Sequence, residues 1–105
     1  MGRNIRMTYA TALVLQALDR GHRYGFDIID ATHLRSGTVY PLLRRLEDSG
    51  IIKSKWEHVS IARSSNRPPR KYYELANTAE PLVAKAKERF PSLSSLPSTD
   101  RISAI

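Results

Sequence analysis

Gly50 separates two periodicities that no single secondary structure can satisfy. Upstream, in Arg35–Gly50 (RSGTVYPLLRRLEDSG), Val39, Leu42, Leu43 and Leu46 recur at i, i+3, i+4 and i+7, the spacing of one helix face. Downstream, in Ile51–Glu57 (IIKSKWE), Ile52, Ser54 and Trp56 alternate with Lys53, Lys55 and Glu57, the spacing of a half-buried strand. A helix over 36–49 that buries its leucines presents Thr38, Tyr40, Arg44, Arg45 and Asp48 to the outside. Ser36 is placed to cap that helix with its hydroxyl, and Gly50 to close it in the left-handed region. Taken alone, the helix fits a solvated surface face as well as a nucleic-acid-reading one.

The flanking segments decide between these. Thr8 begins a first helix that ends at Gly21, with Leu13, Leu15, Ala17 and Leu18 at helical spacing. Its apolar stretch contains Gln16 and reads as amphipathic, and no small-residue cleavage site follows, which argues against a signal peptide. Tyr24–Thr32 (YGFDIIDAT) predicts a short second helix burying Phe26, Ile28 and Ile29, with Gly25 permitting a close approach at its start. The turn Thr32–Arg35 then leads into the third helix, a helix-turn-helix order. After the strand at Ile51–Glu57, a second strand is predicted over Arg70–Ala76, with Tyr73 and Leu75 on one face. The connection HVSIARSSNRPP is rich in Ser, Pro, Arg and Asn and reads as a loop. Helix, helix, helix, strand, basic loop, strand is the order of a winged helix, with the wing over 58–71. Asn77 or Thr78 caps a last helix through Phe90, and Pro81 falls in its first turn, where a missing amide costs little. The remainder, PSLSSLPSTDRISAI, has the Ser/Pro-rich composition of a disordered tail.

The expected fold is therefore mainly α with a small β-hairpin (α+β), a winged helix-turn-helix plus a C-terminal dimerisation helix. Residues 1–76 form the DNA-binding domain, 77–90 the dimerisation helix and 91–105 the tail. Charge supports this division. Of 105 residues, 17 are Lys or Arg and 10 Asp or Glu, a net +7. Between Arg35 and Lys71 there are nine basic residues against three acidic ones, whereas both flanks are close to balanced. A basic excess concentrated in one third is the footprint of a polyanion partner. Double-stranded DNA leads, and an anionic membrane surface is the weaker alternative. The chain has no cysteine, which removes disulfides and thiolate zinc sites and fits a cytoplasmic location. No apolar run approaches the ~18 residues of a membrane span.

The runs LVLQAL, YGFDII, LRSGTVYPLLRRLEDSGII and RPPRKYYEL, in that order between Thr8 and Leu75, resemble the PadR-like winged-helix transcription regulators. The most specific pieces are GTVYPLLRRLE and PPRKYYEL. The resemblance implies a dimeric DNA-binding repressor of the short branch of that family, with the SGTVY helix in the major groove and the wing along the backbone. Carried over residue by residue, it implicates Ser36, Gly37, Thr38, Tyr40, Arg44, Arg67, Arg70 and Lys71. A small-molecule effector, known for many such regulators, is left unassigned.

The residues themselves sort by chemistry. Tyr40 and Arg44 lie one turn apart, and an arginine there can meet guanine O6 and N7 with both arms; Tyr40 can instead pack against the wing. Arg45 shares that face. Arg63, Arg67, Arg70 and Lys71 are expected at phosphates, where they supply affinity and no sequence information. Trp56 reads as a core or hinge residue of the hairpin, and Asp27 and Asp30 as solvated. Leu82, Val83, Ala86 and Phe90 form a stripe outside the winged-helix core, expected at the homodimer interface. His22, His33 and His58 match no ligand spacing. No nucleophile–base pattern, phosphate loop or carboxylate cluster points to an enzyme, and no metal or cofactor is expected. The alternative is a winged-helix protein-interaction module gripping an acidic partner. An exposed apolar patch on the recognition side would favour it.

Overall fold

Thr11–Leu18, eight consecutive residues of the first helix, are all buried, and the rest of the chain is wrapped around them. The computed structural model describes residues 5–95. Helix α1 (Tyr9–Asp19) starts at Thr8, whose Oγ1 accepts a hydrogen bond from the Thr11 amide at 3.1 Å. A helix that is apolar on every side belongs in the middle of a core. The amphipathic reading of this stretch is therefore corrected: Gln16 is 0% exposed, and neither atom of its amide meets a hydrogen-bond partner among the described residues.

Helix α2 (Gly25–Thr32) turns Ile28 and Ala31 into the core and ends at His33, whose φ is 62°. Phe26, expected to be buried, is 71% exposed. Two residues before Ile28 it points about 200° away around the helix, and eight residues have only one inward stripe. Helix α3 (Ser36–Asp48) buries Val39, Leu42, Leu43 and Leu46 as its periodicity predicts, and continues through Pro41. Its cap differs. Arg35 is the flanking residue because its carbonyl accepts the first helical bonds from Thr38 and Val39, which makes Ser36 the first helical residue with no side-chain cap. Gly50, at φ 75°, closes the other end, its amide bonded to the Glu47 carbonyl at 3.0 Å.

Strands β1 (Ile52–Trp56) and β2 (Lys71–Leu75) pair antiparallel with Ile52 opposite Leu75 and Trp56 opposite Lys71. The segment between α1 and α2 lies on the outer edge of β2: the Tyr73 amide donates to the Arg23 carbonyl at 2.7 Å, and Tyr24 bridges Tyr72. Ile52 and Tyr73 anchor the base of the hairpin in the core. Trp56, read as a core or hinge residue, is 64% exposed, at the end of the ladder opposite the buried Ile52. The connection read as a loop contains helix α4 (Val59–Ser64). His58 Nδ1 caps it by accepting from the Ser60 amide, and Ala62 is buried beneath it.

A 3-10 turn at Asn77–Ala79 leads into helix α5 (Glu80–Arg89), and a second at Pro91–Ser95 follows it. The Thr78 hydroxyl donates to the Gly50 carbonyl at 2.8 Å, tying the start of α5 to the end of α3. The expectation that the α5 stripe lies outside the winged-helix core is corrected. Val83 and Ala86 are buried in the same cluster as α1, while Leu82 and Phe90 are half-buried against it. The cause is α1 itself, whose apolar surface needs cover on the side that α2 and α3 leave open. The tail expectation is likewise corrected for 91–95, since Leu93 is 2% exposed in that core, a burial worth roughly 1.5–3 kcal/mol. Residues 96–105, also expected to be disordered, lie outside the described residues. Among the described residues no helix is long and apolar enough to cross a membrane.

Candidate nucleic-acid interface

The first turn of α3 stands open. Ser36, Gly37 and Thr38 are exposed, no acidic residue lies in the turn, and no side chain caps it. Free amides and the positive end of the helix dipole therefore face outward. One turn on, Tyr40 is 41% exposed, and its hydroxyl lies against α2 at Gly25 while the residue also borders the wing's Arg67, Arg70 and Lys71. A Cβ on Gly25 would stand 2.1 Å from that hydroxyl, so the glycine is what lets the ring lie down. Tyr40, Pro41, Arg44, Arg45 and Asp48 line one open groove along the outer face of α3.

The wing is held by a carboxylate. Both arms of Arg67 donate to Glu57, at 2.6 and 2.9 Å, joined by the Arg70 amide at 3.2 Å and the Tyr72 hydroxyl at 3.3 Å. The Glu57 side chain is 6% exposed. The Arg67 guanidinium, with the Arg70 amide and Tyr72 hydroxyl behind it, holds that carboxyl well below its usual range, at about 2, against the upward push of burial. The same bond raises the Arg67 pKa. Arg67, expected at a phosphate, is thus engaged within the wing. The Arg70 guanidinium sits 4.1 Å from the centre of the Tyr24 ring, which meets Tyr72 edge-on, a cation–π stack that keeps the charge at the surface. Lys71 Nζ lies 3.7 Å from Glu47 on α3 and within 6 Å of the Trp56 and Tyr73 rings. Glu47 also accepts a hydrogen bond from the Ser54 hydroxyl on β1. Burial, then the Glu47 charge, then Tyr40, raises the Tyr73 phenol.

These placements bring most of the expected residues together. Tyr40, Arg67, Arg70 and Lys71 line one groove of about 580 Å³ between α2, α3 and the wing. Tyr40 joins it to the α3 groove carrying Arg44 and Arg45, and Arg67 joins it to a shallower one carrying Arg63. Four candidates were missed. Arg35 is exposed beside the open first turn, and Phe26 lines the central groove. Lys53 and Lys55 are exposed on β1. The alternation in Ile51–Glu57 already pointed both lysines outward, and helical spacing already set Phe26 about 200° from Ile28, the signal that could have found it.

Elsewhere the polar groups are structural. His22, 1% exposed, meets Asp27 at 3.0 Å, so Asp27 is a partner of a buried imidazole and not merely solvated. Among the described residues no group of three or more His, Cys, Asp or Glu gathers as metal ligands do.

The fold is that of known regulators. A PadR family transcription regulator from Clostridium difficile R20291 superposes with a TM-score of 0.66 at 26% identity, over 83% of this chain and 92% of that one. Another, from Eggerthella lenta DSM 2243, gives 0.58 at 26% identity, over 82% and 78%. The adhesin competence repressor of Streptococcus pyogenes shares the fold alone, with a TM-score of 0.65 at 17% identity over 85% of this chain and 61% of that one. No curated protein matches the sequence. The profile of the Transcriptional regulator PadR-like family matches residues 14–80, a span holding α2, α3 and the entire wing. By that match and that fold, the chain belongs to the PadR-like family of transcriptional regulators and is not an enzyme.

Proposed function

We propose that the protein is a sequence-specific repressor that binds double-stranded DNA as a homodimer in the cytoplasm. The observation that carries this is the continuity of the groove system, in which the Arg44–Arg45 face of α3 runs through Tyr40 into the basic arm of the wing. Helix α3 enters the major groove, with Ser36, Gly37 and Thr38 at backbone and base edges, Tyr40 and Arg44 reading bases, and Arg45 on the flanking phosphate. Arg63, Arg70 and Lys71 meet phosphates, and Arg67 shapes the wing that carries them. Residues 1–76 do the reading. Within 77–90, Val83 and Ala86 fasten α5 to α1, which leaves the outer surfaces of Leu82 and Phe90 for a second subunit. Tyr9, half-exposed and 5.2 Å from Phe90 edge-on, extends that surface.

Selection from a random duplex pool at near-physiological salt tests the proposal. Recovery of a two-fold site with half-sites about 34–36 Å apart is expected. With roughly 6–8 phosphates neutralised per dimer, log K should fall against log salt with a slope of about −5 to −7. A flat dependence, or no binding at low salt, overturns it. One observation favours the interaction-module reading: Phe26, Trp56, Val59 and Ile61 leave more than half of their surface exposed around the wing. No enrichment from the pool, together with binding to an acidic protein, would establish that alternative.

A further inference from the structure

We propose that Glu47 is a specificity-setting positioning residue, which holds Lys71 away from phosphate and fixes the wing against the recognition helix. This rests on the DNA-binding reading. Three elements meet at one carboxylate: Glu47 is the penultimate residue of α3, Ser54 of β1 donates to it, and Lys71 of β2 stands 3.7 Å away. The other wing carboxylates do nothing of this kind, since Glu57 is engaged within the wing and Glu74 pairs with Arg23. Glu47 and Lys71 are each about one-third exposed, so an approaching phosphate can reach the pair.

It reaches an ammonium that already has an anion. Lys71 can bind the phosphate only if that phosphate sits close enough to outcompete Glu47, and a phosphate that sits badly feels the carboxylate as a like charge. A matched duplex, seated by its base contacts to α3, delivers the phosphate to the right place. A random duplex does not, and meets repulsion without the compensating contact. Discrimination is thereby raised through a penalty on the wrong complex, not through stronger contact in the right one. Glu47 touches no base.

The test uses the full chain with Glu47→Gln, which keeps an acceptor for Ser54 but removes the charge. Asp48→Asn is the control, removing an exposed neighbouring charge that pairs with nothing among the described residues. Binding to the selected duplex and to a random duplex is followed against salt. Glu47→Gln should raise random-duplex affinity about 3–10-fold and steepen the salt slope by about 0.9 for each Lys71 released. The selected duplex should change by less than about 2-fold, so that the ratio falls. Asp48→Asn should raise both affinities alike. In a Lys71→Ala background the effect of Glu47→Gln on the slope should vanish. If the two carboxylate variants behave identically, or if the effect survives Lys71→Ala, the proposal is overturned. Should Glu47→Gln fail to fold, Glu47→Ala, a strong helix former at this part-exposed position, removes the same charge and should shift the ratio in the same direction. A DNA-free arm separates this proposal from the reading beneath it. Trp56 is the only tryptophan and Lys71 Nζ lies 5.9 Å from its ring, so Glu47→Gln should shift its emission in the free protein and Asp48→Asn should not. Failure of the unmodified protein to bind any duplex overturns the DNA reading, and the emission arm still decides whether Glu47 holds Lys71.

Discussion

At Gly25 the absence of one methyl group decides where Tyr40 lies. A Cβ would stand 2.1 Å from the phenol oxygen, but that oxygen is the free end of a side chain that can swing out. Gly25→Ala should therefore change unfolding free energy in urea by no more than about 1–3 kcal/mol. On the selected duplex, Tyr40 displaced from its seat should cost about 1–3 kcal/mol at one base position, read by competition with single-base variants. Gln16 is the opposite case, a polar residue where the fold wants none. Its amide is buried without a hydrogen-bond partner among the described residues, a cost of about 1–3 kcal/mol. Gln16→Met, of similar length, should raise the urea midpoint with the m-value unchanged. Neither contact was legible in the sequence. A glycine announces space, not its occupant, and the helical spacing that placed Gln16 on a polar face assumed that α1 had one.

The elements show where periodicity suffices. The stripe Val39–Leu42–Leu43–Leu46 and the alternation after Gly50 predicted α3 and β1 within a residue or two, because each buries one face and the period follows from that. Helix α4 escaped because six residues give too little period to read, and its cap is His58, outside the usual capping set. The clasp in the wing joins Glu57 to Arg67 across ten positions, which local spacing cannot reveal. Its consequence is a pH dependence. The folded pKa of Glu57 is about 2, below the 4.5 of an unperturbed glutamate. The clasp therefore stabilises fully above about 4.5, and that stability is lost as the pH falls towards 2. Melting temperature followed between pH 6 and 2 should drop across this window, and Glu57→Gln should flatten the drop while lowering stability at neutral pH. A matching curve for wild type and variant would show that Glu57 is not the group being protonated.

On the scale of the whole molecule, the winged-helix order was legible from the succession of periods, and the basic third from charge alone. The role of α5 was not. Its stripe suggested an exposed seam, yet α1 claims Val83 and Ala86 for the core, and only a helix seen to be apolar all round reveals that demand. The proposed dimer surface is consequently smaller, centred on Leu82, Phe90 and Tyr9. Leu82→Asp should leave a folded chain, since the residue is only half-buried, and light scattering should find it monomeric at micromolar concentration. A variant that stays dimeric places the interface elsewhere.

The clasp has one more consequence, for the energetics of association. A wing that is already threaded through Glu57, Arg67, Arg70 and the buried Ala62 has no folding left to complete when it meets a duplex. Coupled folding would leave a large negative heat-capacity change; a wing in final form should leave one no larger than the apolar contact area requires. Titration calorimetry over a range of temperatures reads this directly. Glu57→Gln, by releasing Arg67, should make the heat-capacity change more negative, converting a rigid ligand-binding arm into one that must be ordered anew at each encounter.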